Sequence, residues 1–171
     1  MKIHVIIIDT SAILSGKPLH FPHAKMVTTP KVSDEVTPGG RDYRTFELLQ
    51  EKGLEIHLPS QESLRVVKTT AQQTGDDHRL SDADVEILAL ALDYTNEPEA
   101  EALLLTDDYS IQNVAAHLHL RFEGFSQKGI TKRFKWVSRC PGCGKYFNKK
   151  TESCPICGTA TRTIPRNKTR L

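Results

Sequence analysis

The segment Ile3-His-Val-Ile-Ile-Ile-Asp9 limits the possible folds more than any other part of the chain. Branched aliphatic side chains fill positions 3 and 5–8, broken only by His4. A run this short and this apolar predicts a strand buried on both faces, as strands are in a parallel sheet. An acid does not belong inside such a strand, and Asp9 stands at its exit. In open α/β sheets ligands bind beyond the carboxyl ends of the strands, which makes Asp9 a candidate site residue. Asp9 is also suited to cap the turn that follows, with Thr10 and Ser11 hydrogen-bonding beside it.

Further along, strand and helix patterns alternate. Lys25 to Thr29 fits a short second strand ended by Pro30, and Val32-Ser-Asp-Glu-Val36 fits either one helical turn or a loop. Arg41 to Lys52 has helical spacing and stops at Gly53, and Leu54 to Leu58 alternates as a half-buried strand does. Gln61 to Thr74 is again helical. Leu80 to Asp84 opens the clearest helix, with Ile87, Leu88, Ala91 and Leu92 on its buried side and Pro98 beyond its end. Ala102 to Leu105 is an apolar strand running straight into Thr106-Asp107-Asp108; a helix over 111–118 and a last strand over 120–122 complete the series. The alternation implies an α/β fold, a parallel sheet flanked by helices.

Charge divides the chain in two. Through residue 124 there are 11 Lys and Arg against 20 Asp and Glu, a net −9; from 125 onward there are 12 against the single Glu152, a net +11. An acidic body fits a metal or phosphate site, and a basic end fits a polyanion partner; two solvated surfaces of opposite sign that touch each other are the plainer alternative. All four cysteines fall in 140–157 as Cys140-Pro-Gly-Cys143 and Cys154-Pro-Ile-Cys157, each pair followed by Gly. Two such knuckles match a closed, tetrahedral, structural Zn²⁺ site, with a redox disulfide as the rival reading. A module this small folds on its metal rather than on an apolar core. No stretch is long enough to span a membrane, and the N-terminal run lacks a cleavage site, so a reducing, cytoplasmic setting is expected.

Asp9 and the Asp107-Asp108 pair both follow apolar strands, so they are expected at one sheet edge. Asp84 lies in the first turn of a helix, and Glu35 lies near the start of another possible one. Several carboxylates in one crevice repel unless a cation neutralises them, and an all-oxygen ligand set suits Mg²⁺ or Mn²⁺. Such ions serve in-line displacement at phosphorus, which here means phosphodiester hydrolysis. Each acid also has a capping reading. Ser81-x-x-Asp84 is a capping box with Asp for Glu, Asp82 suits the helix dipole, and Asp107 or Asp108 can open the 111–118 helix.

The strand-plus-Asp start (IIIDTSAIL), the VSDEV segment, the SDADVEILALA helix and the LLLTDDYSIQNVA element together resemble the PIN-domain nucleases over roughly residues 3–124. The resemblance implies metal-holding roles for Asp9, Glu35, Asp84 and Asp108. Asp107 is placed to share or replace the last of these. Asp34 and Asp82 fit the spacing less well and are left to support, while Thr10, Ser11 and Thr106 are placed to hydrogen-bond to the acids.

Around the cysteines, Lys132, Arg133, Lys135, Arg139, Lys145, Lys149 and Lys150 interleave with Phe134, Trp136, Tyr146 and Phe147. Cations serve phosphates and aromatics stack on unpaired bases, although one or more of the rings is expected simply to pack the module. A PIN nuclease body (1–124), a linker (125–136), a zinc ribbon (137–160) and a basic, flexible tail (161–171) are similar in order to the archaeal NIN-one-binding protein family. That resemblance implies a metal-dependent endoribonuclease that matures the 3′ end of small-subunit ribosomal RNA during ribosome biogenesis. Single-stranded precursor RNA and assembly factors would be its partners, with no membrane. A VapC-like ribonuclease toxin and a non-catalytic RNA-binding assembly factor are the alternatives.

Overall fold

The computed structural model describes residues 2–126 and 129–170. Its first unit is a five-stranded, all-parallel sheet in the order β3-β2-β1-β4-β5. The strands are β1 (Ile3–Ile8), β2 (Ala24–Thr28), β3 (Leu54–Ile56), β4 (Ala100–Leu105) and β5 (Phe122–Glu123). Between them run α1 (Thr10–Leu14), α2 (Pro30–Glu35), α3 (Arg41–Glu51), α4 (Gln61–Thr74) and α5 (Asp82–Asn96), with α6 (Tyr109–His117) joining β4 to β5. β1 is central, and Val5, Ile6, Ile7 and Ile8 are all buried, as the unbroken aliphatic run requires. Only its first turn of chain reaches solvent: Ile3 is exposed, and His4 pairs with Glu101 on β4.

Helix ends follow from short polar side chains. Ser60 caps α4 and Ser81 caps α5, each accepting from a backbone N–H three residues on. Thr29, expected as the last residue of a strand, instead caps α2, and Pro30 takes the first helical position, where its missing N–H costs nothing. The VSDEV segment therefore resolves as the end of a helix. The chain also makes α1 directly after Asp9, five residues too short to show a period. α5 packs on β1 and β4, α4 packs on α5 and α6, and α2 lies along α5, where Lys31 pairs with Asp82 at 3.0 Å. Among the described residues, no helix is long and apolar enough to cross a membrane.

The basic end departs from the expected division into linker, ribbon and tail. Lys132–Arg139 is a strand (β6), and Arg162–Arg170 is another (β8); they pair antiparallel along their whole lengths, from Lys132 opposite Arg170 to Arg139 opposite Arg162. The short β7 (Tyr146–Phe147) adds to the other side of β6. The segment read as a linker thus supplies the middle strand of a three-stranded sheet, and the segment read as a flexible tail supplies its edge. β8 is mostly exposed and is held by backbone pairing, which leaves no apolar alternation to read.

β6 also docks on the body. The Asn113 side chain, buried on α6, treats Phe134 as a neighbouring strand would: its Oδ1 accepts from the Phe134 N–H at 2.6 Å and its Nδ2 donates to the Phe134 carbonyl at 3.0 Å. Nδ2 also donates to Asp76 at 2.8 Å. The preceding residue, Gln112, donates to the Thr106 carbonyl at 2.8 Å and accepts from the Ile130 N–H at 2.8 Å. Gly75, which ends α4 at φ +78°, is needed for a second reason: a Cβ there would lie 2.6 Å from the Trp136 carbonyl oxygen. Replacing Asn113 with Ala leaves a buried N–H and a buried carboxylate short of partners, a loss of about 1–3 kcal/mol. Urea titration should show that loss, and amide exchange should quicken across 132–137.

Candidate active site and metal centre

Asp9 is 3% exposed at the end of β1. Its Oδ2 accepts from the Ser11 hydroxyl at 2.7 Å, the Thr106 hydroxyl at 2.8 Å and, more weakly, the Ser11 N–H at 3.4 Å. It therefore caps α1 and stands at the site together; the two readings of this residue are one arrangement. Burial pushes its carboxyl above the ordinary range, while the bonds from Ser11 and Thr106 pull the other way. Next to it, the Thr10 hydroxyl donates to Glu35 at the end of α2, which brings the second acid to the same edge.

Asp84 arrives by a reciprocal capping box. Its Oδ2 accepts from the Ser81 N–H at 2.7 Å, and its own N–H donates to the Ser81 hydroxyl at 3.1 Å. Burial raises its carboxyl to about 6; the Ser81 bonds oppose that rise, and the negative charges of Asp9 and Asp108 add to it. Those charges act on Asp84 because β1, α5 and the start of α6 meet at one edge. Asp108 caps α6, its Oδ1 accepting from Ser110 N–H at 2.6 Å and Ile111 N–H at 3.1 Å.

Asp107 has a different task. Its carboxylate accepts the Phe125 N–H at 2.6 Å and the Ser126 N–H at 3.0 Å, together with the Ser126 hydroxyl, and so pins the chain after β5. Its own N–H donates to the Ser11 hydroxyl at 3.0 Å. Asp82 is committed to Lys31, and Asp34 shares with Glu35 and Ser81 the shallow groove beside it. Thr10, Ser11 and Thr106 do bond to the acids. What the sequence reading missed is the polar pair Gln112-Asn113 and Asp76, all three buried. The only signal was two amides flanked by Ile111 and Val114 on a helix that otherwise hides its apolar side.

The four thiols lie within 4.8 Å of one another. Cys140 and Cys157 Sγ are 3.4 Å apart and Cys143 and Cys154 Sγ 3.6 Å, far beyond the ~2 Å of a disulfide and near the ~3.8 Å edge of a tetrahedron with ~2.3 Å metal–sulfur bonds. The knuckles repeat each other: Cys140 N–H donates to the Lys145 carbonyl and Cys154 N–H to the Thr159 carbonyl, and Gly144 and Gly158 both turn at φ +73°. This cluster can hold a zinc ion. Among the described residues it is the one set of three or more metal-competent side chains drawn so close.

The expected cationic residues spread over the second sheet. Lys132, Lys135, Arg139, Lys145, Lys149 and Lys150 are exposed, whereas Arg133 reaches the Ala116 carbonyl. Trp136 does not pack the ribbon's interior: it lies between Phe134, with ring centroids 5.5 Å apart, and the Arg79 guanidinium of the body at 3.9 Å.

A five-stranded parallel sheet with acids gathered at its carboxyl edge defines a PIN-type ribonuclease, and the profile described as the PIN domain of ribonuclease matches residues 6–94. Endoribonuclease Nob1 of Archaeoglobus fulgidus is 40% identical over 172 residues, covering 99% of this chain and 96% of that protein. Endoribonuclease Nob1 of Pyrococcus abyssi is 36% identical over 95% of each chain. Ribonuclease VapC1 of Thermoplasma acidophilum is 39% identical over 154 residues, 90% of this chain and 75% of that one. The chain belongs to the PIN-domain ribonucleases and, among them, to the archaeal Nob1 endoribonucleases. It is an enzyme that cuts RNA internally.

The raised carboxyl of Asp84 gives a signed prediction. It titrates near 6 when folded and near 3.8 when unfolded, so between these values the folded state holds the extra proton and stability falls as pH rises. Asp84→Asn cannot ionise and should remove that fall. Urea midpoints of both proteins from pH 4 to 7, without Mg²⁺ or Mn²⁺, should therefore diverge with rising pH, the variant becoming the more stable.

Proposed function

We propose that this enzyme cleaves single-stranded precursor ribosomal RNA at the 3′ end of the small-subunit RNA, in the cytoplasm, during assembly of the subunit. In this reading Asp9, Glu35, Asp84 and Asp108 hold Mg²⁺ or Mn²⁺, and Asp107 holds the loop beside them. The bound ion supplies positive charge to the phosphate oxygens and lowers the pKa of attacking water. The protein's own residues then have defined work. Ser11 and Thr106 fix Asp9 and oppose the effect of its burial, Thr10 fixes Glu35, and the α6 cap sets Asp108. The exposed lysines and arginines of β6 and the knuckles hold the strand's phosphates.

The single observation that carries the reading is the docking of β6 on α6. The helix that Asp108 caps also holds the strand of the basic sheet, so the position of that sheet relative to the acids is fixed by α6. The likeness to Nob1 over nearly the whole chain supports the choice of RNA. An alignment of 154 residues with a protein named VapC1 reaches beyond a body of about 124, so the ribbon alone does not decide against a toxin-like substrate.

An RNA spanning the small-subunit 3′ end should be cut once, at the mature end, by wild type with Mn²⁺. Asp9→Asn should lose the cut by more than 100-fold, by analogy with removal of other groups that act on transition-state charge. Cuts throughout the RNA would return the substrate question to the toxin reading, and tight binding without cutting would overturn catalysis. The purified chain should also carry one zinc by elemental analysis. Cys140→Ser should release it and unfold the knuckles while the body's helical circular dichroism persists.

A further inference from the structure

Between the body and β6 lies an open crevice of about 500 Å³, in the size range of small-ligand pockets. None of its residues belongs to the acid cluster or the cysteine knuckles. Tyr109 and Ser110, which follow Asp108 directly, form the wall nearest the acids, and Tyr109 is 52% exposed although it opens a helix inside the fold. Arg79 and Trp136 line the same crevice, with the guanidinium laid over the indole at 3.9 Å. Lys132 lines the crevice and is solvent-exposed.

The floor explains why Arg79 stays in place. Asp76 has no exposed surface, and its Oδ2 is taken by the Thr74 hydroxyl at 2.7 Å and by Asn113. Its Oδ1 is the one buried side-chain oxygen or nitrogen without a hydrogen-bond partner among the described residues. Burial pushes the Asp76 carboxyl above its ordinary range, the bonds from Thr74 and Asn113 and the charge of Arg79 oppose that rise, and the Arg79 N–H donates to the Asp76 carbonyl at 2.8 Å. Arg79 is thus fixed at its backbone by the Asp76 carbonyl, while its guanidinium lies on the indole.

We infer that this crevice is a base-binding subsite, in which an unpaired base of the RNA strand, a short distance from the cut phosphate, seats between the Tyr109 ring and the Arg79–Trp136 stack. Phenol rings and guanidinium planes are the surfaces on which single-stranded bases stack, and Lys132 supplies the charge for the adjoining phosphate. An apolar peptide would gain nothing from Arg79 and Lys132, and a free phosphate would not need the aromatic walls. The crevice has one wall from each unit, so it exists only while β6 is docked. The inference rests on RNA being the substrate and not on which RNA is cut.

The chain has a single tryptophan, so its indole emission comes from Trp136, which lines this crevice. The zinc-loaded full chain, without Mg²⁺ or Mn²⁺, would be titrated with end-labelled oligo(U) pentamer and with an abasic ribose-phosphate pentamer of equal charge. Binding would be followed by label anisotropy and the crevice by Trp136 emission. Expected results are a saturable change in Trp136 emission with the base-bearing pentamer only, and about tenfold weaker binding of that pentamer to Tyr109→Ala. Tyr146→Ala, at an exposed ring of the ribbon, should leave the Trp136 response intact. Saturation by anisotropy with no change in Trp136 emission would overturn the subsite, as would unchanged affinity in Tyr109→Ala. Because any single-stranded RNA serves, this result is independent of whether the enzyme selects the ribosomal 3′ end.

Discussion

The acidic edge of the sheet depends on keeping one carboxylate in a place that disfavours its charge. Asp9 is almost wholly buried, at the end of the central strand, and burial alone would favour its neutral form. Two hydroxyls and a backbone N–H oppose that tendency, and they come from both sides: Ser11 from the helix after β1 and Thr106 from the end of β4. The same two side chains also bond to the Asp107 and Asp108 N–H groups, so the polar lattice that holds Asp9 also aligns the second acidic turn. Loss of any one of these hydroxyls therefore disturbs two acids at once.

A second dependence runs through α6. Its first residue follows an acid of the site, and its buried amides carry the chain that leads to the basic sheet. Gln112 ties the Thr106 carbonyl to Ile130, and Asn113 completes the hydrogen bonding of Phe134. Side-chain amides are the right groups for this task, because they present a donor and an acceptor in the spacing of a peptide. The relation between nuclease body and basic sheet is set by directional bonds in a low-exposure seam rather than by an apolar patch, which favours one orientation over many.

How much of this was legible from residues alone differed by element. β1, α4 and α5 were plain because buried faces impose a period: Val5 to Ile8 fill both sides of a central strand, and Val67 and Ala71 repeat at the helical step. Asp9, Asp84 and Asp108 were legible because each ends a strand or opens a helix, whereas Glu35 closes α2 rather than opening a helix. The division between Asp107 and Asp108 was not legible, since it turns on where the chain after β5 passes. β8 was illegible for another reason. Arg162 to Arg170 buries little and pairs through its backbone, so its side chains record almost nothing of the strand they belong to. The amide bracket was hidden because Gln and Asn on a helix ordinarily face water, and only their partners at Thr106, Ile130, Asp76 and Phe134 explain their burial.

That late strand has a consequence for how the molecule is made. Every strand of the nuclease sheet lies before residue 124, whereas the middle strand of the basic sheet must wait for β8 to find its partner. As the chain emerges in order, the acidic half can reach its folded form while β6 still lacks the neighbour that straightens it. Assembly of the acidic edge and assembly of the basic sheet can thus be separate events in the life of one chain, with the acidic edge built first and the basic sheet closed last.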